Sequence, residues 1–201
     1  PAPKKTRLLN NWLILFLVAM ILANIGGQMY GPLMPLYLQD LKATVAQVGL
    51  FFTLARIIPL ALQIIGGYIS DSLGRLRAIA IASIAGVFTY VALILAPTWQ
   101  WVLVSAAFSA ITYSLIGPSF DAFIAEHSEE HNRARVFAIS QTIFGVVMVV
   151  GPVMGGWLVD ARGFKFMIFI AGLFYLVATV IRVLMAREAS KGSESQPKKL
   201  S

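Results

Sequence analysis

Two ionised side chains, Arg56 and Asp121, stand inside stretches of this chain that are otherwise apolar. A central arginine costs about 2.5–3.5 kcal/mol on membrane-insertion scales, so it has to face a cavity or a partner. Asp121 lies more than a turn inside the end of its span, where a carboxylate is suited to taking up and releasing a proton; a static pairing with Arg75 or Arg77 is the alternative. Uncharged polar residues recur at helical spacing around them. Asn24 and Gln28 are stacked, Thr53 and Gln63 share the face of Arg56, and Ser105, Ser109 and Thr112 form a stripe, as do Gln141 and Gly145. Hydrogen bonding between helices is the competing account for these uncharged residues. Enzyme chemistry finds little to work with. There is no cysteine, hence no thiol nucleophile, thiolate metal site or disulfide. Gly117-Pro118-Ser119 is a faint Gly-x-Ser, but both histidines, His127 and His131, fall in a polar segment, which leaves no base in the apolar stretches. An intramembrane enzyme is set aside, and neither a metal nor a cofactor is implied.

These residues have to be positioned by helices whose solvent is lipid. Of the 201 residues 58% are hydrophobic and 12% charged, against about 45–50% and about 25% in a soluble domain. The excess resolves into six apolar segments, at about 12–38, 45–70, 78–96, 99–125, 136–159 and 166–186. Each reaches the roughly 20 helical residues that a ~30 Å hydrocarbon core requires. The reading is an all-α membrane protein of six transmembrane helices. Residues 1–11 form a leading segment, and 187–201 a Ser/Lys-rich flexible tail or linker. The basic start of the chain resembles a signal peptide, but the apolar run behind it is too long, so it is a retained span. Thr44 and Gln47 carry capping-box spacing at the start of the second span.

The net charge of +7 raises the question of nucleic acid, and its placement answers it. With six spans both termini share a side. On that side fall Lys4, Lys5, Arg7, Arg75, Arg77, Arg133, Arg135, Arg182, Arg187, Lys191, Lys198 and Lys199, whereas Lys42, Arg162 and Lys165 fall on the other. This is the positive-inside bias, which puts both termini in the cytoplasm of a plasma (inner) membrane protein. No nucleic-acid partner is expected; the lipid bilayer is.

An internal repeat organises the spans. GGYISDSLGRLR, from Gly66, is echoed by GGWLVDARGFK, from Gly155, 89 positions on; Gly31-Pro32 is echoed by Gly117-Pro118, 86 positions on. The first three spans (about 12–96) and the last three (about 99–186) therefore form two copies of one unit. Three is odd, so the copies lie inverted in the bilayer.

The segment Gly67-x-x-x-Asp71-x-x-Gly74-Arg75-x-Arg77 resembles the signature loop of the major facilitator superfamily. The resemblance extends over essentially the whole chain. It takes in the exit of the first span (GPLMPLYL), the loop IAEHSEEHNRARVFA and the fifth-span run Gly151-Pro152-x-x-Gly155-Gly156. It implies a twelve-helix fold in two six-helix halves, of which this chain is similar to the first. In that family the loop is a charge cluster that latches the cytoplasmic side, and Glu126 occupies the place of its acidic partner, to be paired with Arg75. A positive-inside loop with turn glycines is the plainer reading of the same residues.

The fifth-span run resembles the core of the family's antiporter motif, which implies export. Gly151 and Gly155 share one face and Pro152 frees a carbonyl; Val147 stands where a preceding glycine is expected. Packing alone is the alternative. The family's arginine motif is absent from the fourth span. The family arrangement also implies that the first and fourth spans line a cavity while the third and sixth face lipid, and those two carry no comparable mid-span polar stripe. Arg182 is expected to snorkel from the end of the sixth span. The implied function is alternating-access transport of a small molecule, proton-coupled and outward. Its partners are a substrate, a proton and a second six-helix half, missing or supplied by a second copy. A non-transporting half or scaffold is the rival, and a channel lacks its filter motif.

Overall fold

The α3–α4 and α6–α7 connections set the geometry of this molecule, because each is a single glycine. The computed structural model describes residues 11–194, with the side chains of 61, 63–67, 70 and 191–194 outside the description. Its helices are α1 (Asn11–Tyr30), α2 (Met34–Asp40), α3 (Val45–Leu73), α4 (Arg75–Leu95), α5 (Val102–His127), α6 (Arg133–Arg162) and α7 (Phe164–Glu194), with a 3₁₀ turn at Trp99–Trp101 before α5. Five helical stretches, Asn11–Tyr30, Arg75–Leu95, Trp99–His127, Arg133–Arg162 and Phe164–Ser190, are long and apolar enough to cross a membrane. The 29 residues of α3 span about 44 Å at 1.5 Å per residue, and its described portion Val45–Leu60 is apolar. The chain is a multi-pass, all-helical membrane protein.

Two elements differ from expectation. The first span is broken: α1 stops at Tyr30 and α2 starts at Met34. Pro32 and Pro35 explain the break, since each lacks an N–H and its ring crowds the carbonyl one turn back. The gap is bridged by backbone bonds from Gly31 N to Gly27 O (2.9 Å) and Met34 N to Gly31 O (3.2 Å). The sixth span, in turn, continues past residue 186 to Glu194. Arg187, Glu188 and Ala189 are good helix formers, and no proline intervenes to stop the turn. The leading residues 1–10 and the tail from 195 lie outside the described residues.

Thr44 and Gln47 cap α3 reciprocally. Thr44 N donates to Gln47 Oε1 at 2.9 Å and Gln47 N to Thr44 Oγ1 at 3.3 Å, which satisfies two of the amides a helix start leaves open.

The packing displays the repeat. α1 packs on α7 and α6, while α5 packs on α4 and α3, and α4 packs on α7. Exchanging the first three spans for the last three turns the α1 partnerships into the α5 partnerships and maps the α4–α7 contact onto itself. At the α4–α7 contact Gly86 lies under the ring of Tyr175 and Gly172 lies under Tyr90. The two tyrosine rings meet at 5.1 Å. Each glycine thus makes room for the other copy's aromatic ring, as two-fold-related units require.

The core has two parts. Near the α2 end it is built on Met29, Tyr37, Leu38, Leu93, Met167 and Ile168, with the Tyr37 hydroxyl donating to Leu93 O at 2.7 Å. Near the α3–α4 end it is built on Leu13, Phe16, Ile79, Phe123, Val136 and Met185, with Phe16 against Phe123 at 4.1 Å. Between these two plugs the bundle is hollow.

Candidate functional site

The hollow is a cavity of about 580 Å³ reached by α1, α3, α4, α5 and α7. That size suits a small organic molecule. Three of the expected polar residues line it: Asn24 and Gln28 from α1 and Arg56 from α3. Ser105, Ser109 and Thr112 line it from α5, but their hydroxyls are partly committed. Ser105 donates to Val102 O at 2.6 Å and Thr112 to Ala82 O at 3.0 Å. Asn24 Oδ1 is buried and accepts no hydrogen bond, which is costly unless something else supplies a donor.

Two other candidates lie away from the cavity lining. Gln141 is exposed on α6. Asp121 is exposed on α5, on the face that also carries Gly117 and the cavity-lining Tyr113 at four-residue spacing. Gln63 and Gly67 lie outside the described side chains.

The expectation for the third and sixth spans needs correction. Their outer faces are apolar and exposed, with Phe88 and Val91 on α4 and Leu176 and Val180 on α7. Their inner faces are polar: Thr89 and Tyr90 of α4, and Tyr175 and Arg182 of α7, line the cavity. Arg182 does not snorkel. It is 1% exposed, donating from Nη1 to Ser83 Oγ (2.8 Å) and from Nη2 to Ala19 O (3.3 Å) and Met20 Sδ (3.0 Å). The physical reason is the longer helix: in a span running to Glu194, residue 182 is not near an end and cannot reach interfacial water. It also drops out of the surface charges that bias topology. The available signal was the run of helix formers after residue 186.

At the end of the bundle carrying the α3–α4 turn, Gly74 adopts φ +86°, ψ 146°, a conformation open to glycine alone. The turn brings Asp71, at the end of α3, beside Arg75, at the start of α4. Arg75 Nη1 bonds Asp71 Oδ1 and its Nε donates to Glu126 Oε1 at 3.1 Å. The side chains are 25% (Arg75), 66% (Asp71) and 50% (Glu126) exposed. Arg77 reaches Ser190 Oγ of α7. Four helices, α3, α4, α5 and α7, are thus tied at one end by polar groups in reach of water.

On α6, Gly151 and Gly155 share the face that packs on α1. A Cβ at Gly151 would lie 2.6 Å from Gln28 Cβ, and one at Gly155 would overlap the Met29 carbonyl. Pro152 lies between them inside the helix, and Gly156 faces open space. The two packing glycines therefore bring α6 against the segment of α1 that carries Gln28 into the cavity.

Comparison with known proteins follows the same lines. The family model of the Major Facilitator Superfamily matches residues 16–200. The chain is 28% identical over 141 residues to a Na(+), Li(+), K(+)/H(+) antiporter of Planococcus maritimus, covering 67% of this chain and 33% of that protein. It is 22% identical over 169 residues to the quinolone resistance protein NorA of Staphylococcus aureus, covering 84% of this chain and 43% of that one. The chain thus spans between a third and a half of the length of these relatives.

Proposed function

This chain belongs to the major facilitator superfamily, and we propose that it forms one six-helix half of a secondary transporter that moves a small molecule by alternating access. The observation that carries this reading is the cavity of about 580 Å³, walled by helices of both repeats and lined by convergent polar groups. A second six-helix face, from further chain or from another copy, completes the enclosure. The charge distribution supports cytoplasmic termini in a plasma membrane. Proton-coupled export is the direction and coupling proposed. It is supported by the Gly151/Gly155 contact with α1 and by likeness to proteins whose names denote a cation/proton antiporter and a drug-resistance protein.

In this reading Asp71, Gly74, Arg75, Arg77 and Glu126 form a latch on the cytoplasmic end. Ion pairs this exposed are worth about 0–1 kcal/mol each. They can hold two helix ends together in one state and release them in the other without a large barrier. Asp121, exposed on α5 on the face that carries Gly117 and the cavity-lining Tyr113, is the proposed proton carrier.

The test is gradient-driven flux in proteoliposomes, with the mass of the assembly measured in nanodiscs. A monomer of this chain is expected to be silent, and a second six-helix half to restore substrate-saturable flux against a proton gradient. Asp121→Asn should keep exchange without a gradient and abolish gradient-driven accumulation. Absence of flux in every assembly, with or without the second half, would defeat the transport reading.

A further inference from the structure

Arg182 is a full positive charge held in the middle of a membrane bundle, and among the described residues no carboxylate pairs with it. Its partners are a serine hydroxyl, a backbone carbonyl and a thioether sulfur. The Tyr175 ring lies 5.8 Å beneath its guanidinium. Arg182 Nε and the buried Tyr175 hydroxyl beside it make no well-aligned hydrogen bond, although the two groups interact with each other. Both residues line the cavity, as does a second cation, Arg56. No aspartate or glutamate is among the described lining residues. A cavity walled by low-dielectric helices and carrying charge of one sign focuses that potential on whatever enters. A desolvated cation left unpaired is strongly unfavourable, so the site is built to receive an anion.

The rest of the lining says what kind of anion. Tyr30, Tyr90, Tyr113 and Phe51 also face the cavity, with Tyr30 edge-on to Tyr90 at 5.4 Å, a wall suited to an aromatic body. The orphaned Asn24 Oδ1 asks for a donor. We propose that the cavity of this half recognises an aromatic carboxylate bearing a hydroxyl or amine donor, its anionic end drawn to the two lining cations, buried Arg182 and exposed Arg56. This deepens the transport reading and rests on it for the role of the site, not for its existence. A guanidinium that merely ties α7 to α1 and α4 would explain the three bonds it makes, but not a second cation in the same cavity, nor the lack of any acid among its described lining residues.

The experiment uses the full chain in nanodiscs of zwitterionic lipid. Calorimetric titration compares 4-hydroxybenzoate with its neutral and cationic counterparts, 4-hydroxybenzamide and 4-hydroxybenzylamine. The carboxylate is expected to bind saturably and about ten-fold or more tighter than either counterpart, a difference well within what one charge contact supplies. Arg182→Gln should remove that preference, Arg182→Lys should retain most of it, and Arg56→Gln should reduce it by a few-fold. Equal affinity for the three probes in the wild type, or preference for the amine, overturns the proposal, and so does an Arg182→Gln chain that still favours the carboxylate. Should Arg182→Gln fail to insert, the wild-type comparison and Arg56→Gln decide alone. A chain that selects the carboxylate but moves no solute with any second half would contradict transport and leave the anion site standing. Flux of solutes without carboxylate selection would do the reverse.

Discussion

The α3–α4 turn and the α6–α7 turn are the same turn made twice, and they differ only in charge. Gly74 sits at φ +86° and Gly163, 89 positions later, at φ +82°. Each closes one long helix and opens the next, and each is preceded by an aspartate, Asp71 or Asp160. At the first turn Asp71 and Glu126 converge on Arg75. At the second, Asp160 has no ion pair among the described residues, and Arg162 lies over the Phe166 ring at 5.0 Å. The fold needs the glycine in both places. It does not need the charge cluster, because the second turn forms without one. That separation supports the proposal that the cluster serves switching while the glycines serve architecture.

The largest expected effects test the shared part. Gly74→Ala and Gly163→Ala force a side chain into a backbone region reserved for glycine, and each should lower stability by about 1–3 kcal/mol. Thermal unfolding in nanodiscs is the measurement, and the two losses should be similar. A large loss at one turn and none at the other would break the equivalence. The unshared part should behave differently. Arg75→Ala removes both ion pairs, yet exposed pairs contribute only about 0–1 kcal/mol, so the melting curve should move little. Flux in an assembled transporter should fall by about ten-fold or more, since a state-specific contact worth about 1.4 kcal/mol shifts the conformational balance by that factor. Flux and stability falling together would return the cluster to a structural role. Reversing both charges, Arg75→Glu with Glu126→Arg, should recover part of what either reversal removes alone, read as flux. The smallest effect belongs to Asp160→Asn, expected to leave both readouts within experimental error, about 0.5 kcal/mol for a surface site.

The spans and the turn cluster were legible because their signals are local. Hydropathy runs mark helices. Asp71 and Arg75 are four apart, so a one-residue turn keeps them neighbours, whereas Glu126, the last residue but one of α5, was placed opposite Arg75 by the family resemblance and not by any local signal. The break in the first span was written in Pro32 and Pro35 but hidden by the apolar run around them. Arg182 was misplaced because the sixth span was ended at the last apolar residue, whereas helix formers carry α7 to Glu194. The polar inner face of α4 and α7 escaped for a different reason. Ser83, Thr89 and Thr179 are small and can bond their own helix, as Thr179 does to Tyr175 O at 2.9 Å. Their spacing alone therefore does not reveal that Ser83 accepts from an arginine 99 residues away. Long-range pairings of that kind are set by how the two repeats dock, not by any window of sequence.

The central claim is that the repeats are inverted, and the two turns offer matched positions to test it. Ser72 and Ala161 are equivalent by the 89-residue offset, exposed, and adjacent to the aspartates. The chain contains no cysteine of its own, so Ser72→Cys and Ala161→Cys each carry a single thiol. Labelling intact cells with a membrane-impermeant thiol reagent should modify Ala161→Cys at once and Ser72→Cys only after permeabilisation. Modification of both from the same side would contradict inversion, and with it the two-fold relation on which the cavity, the latch and the proposed transport cycle depend.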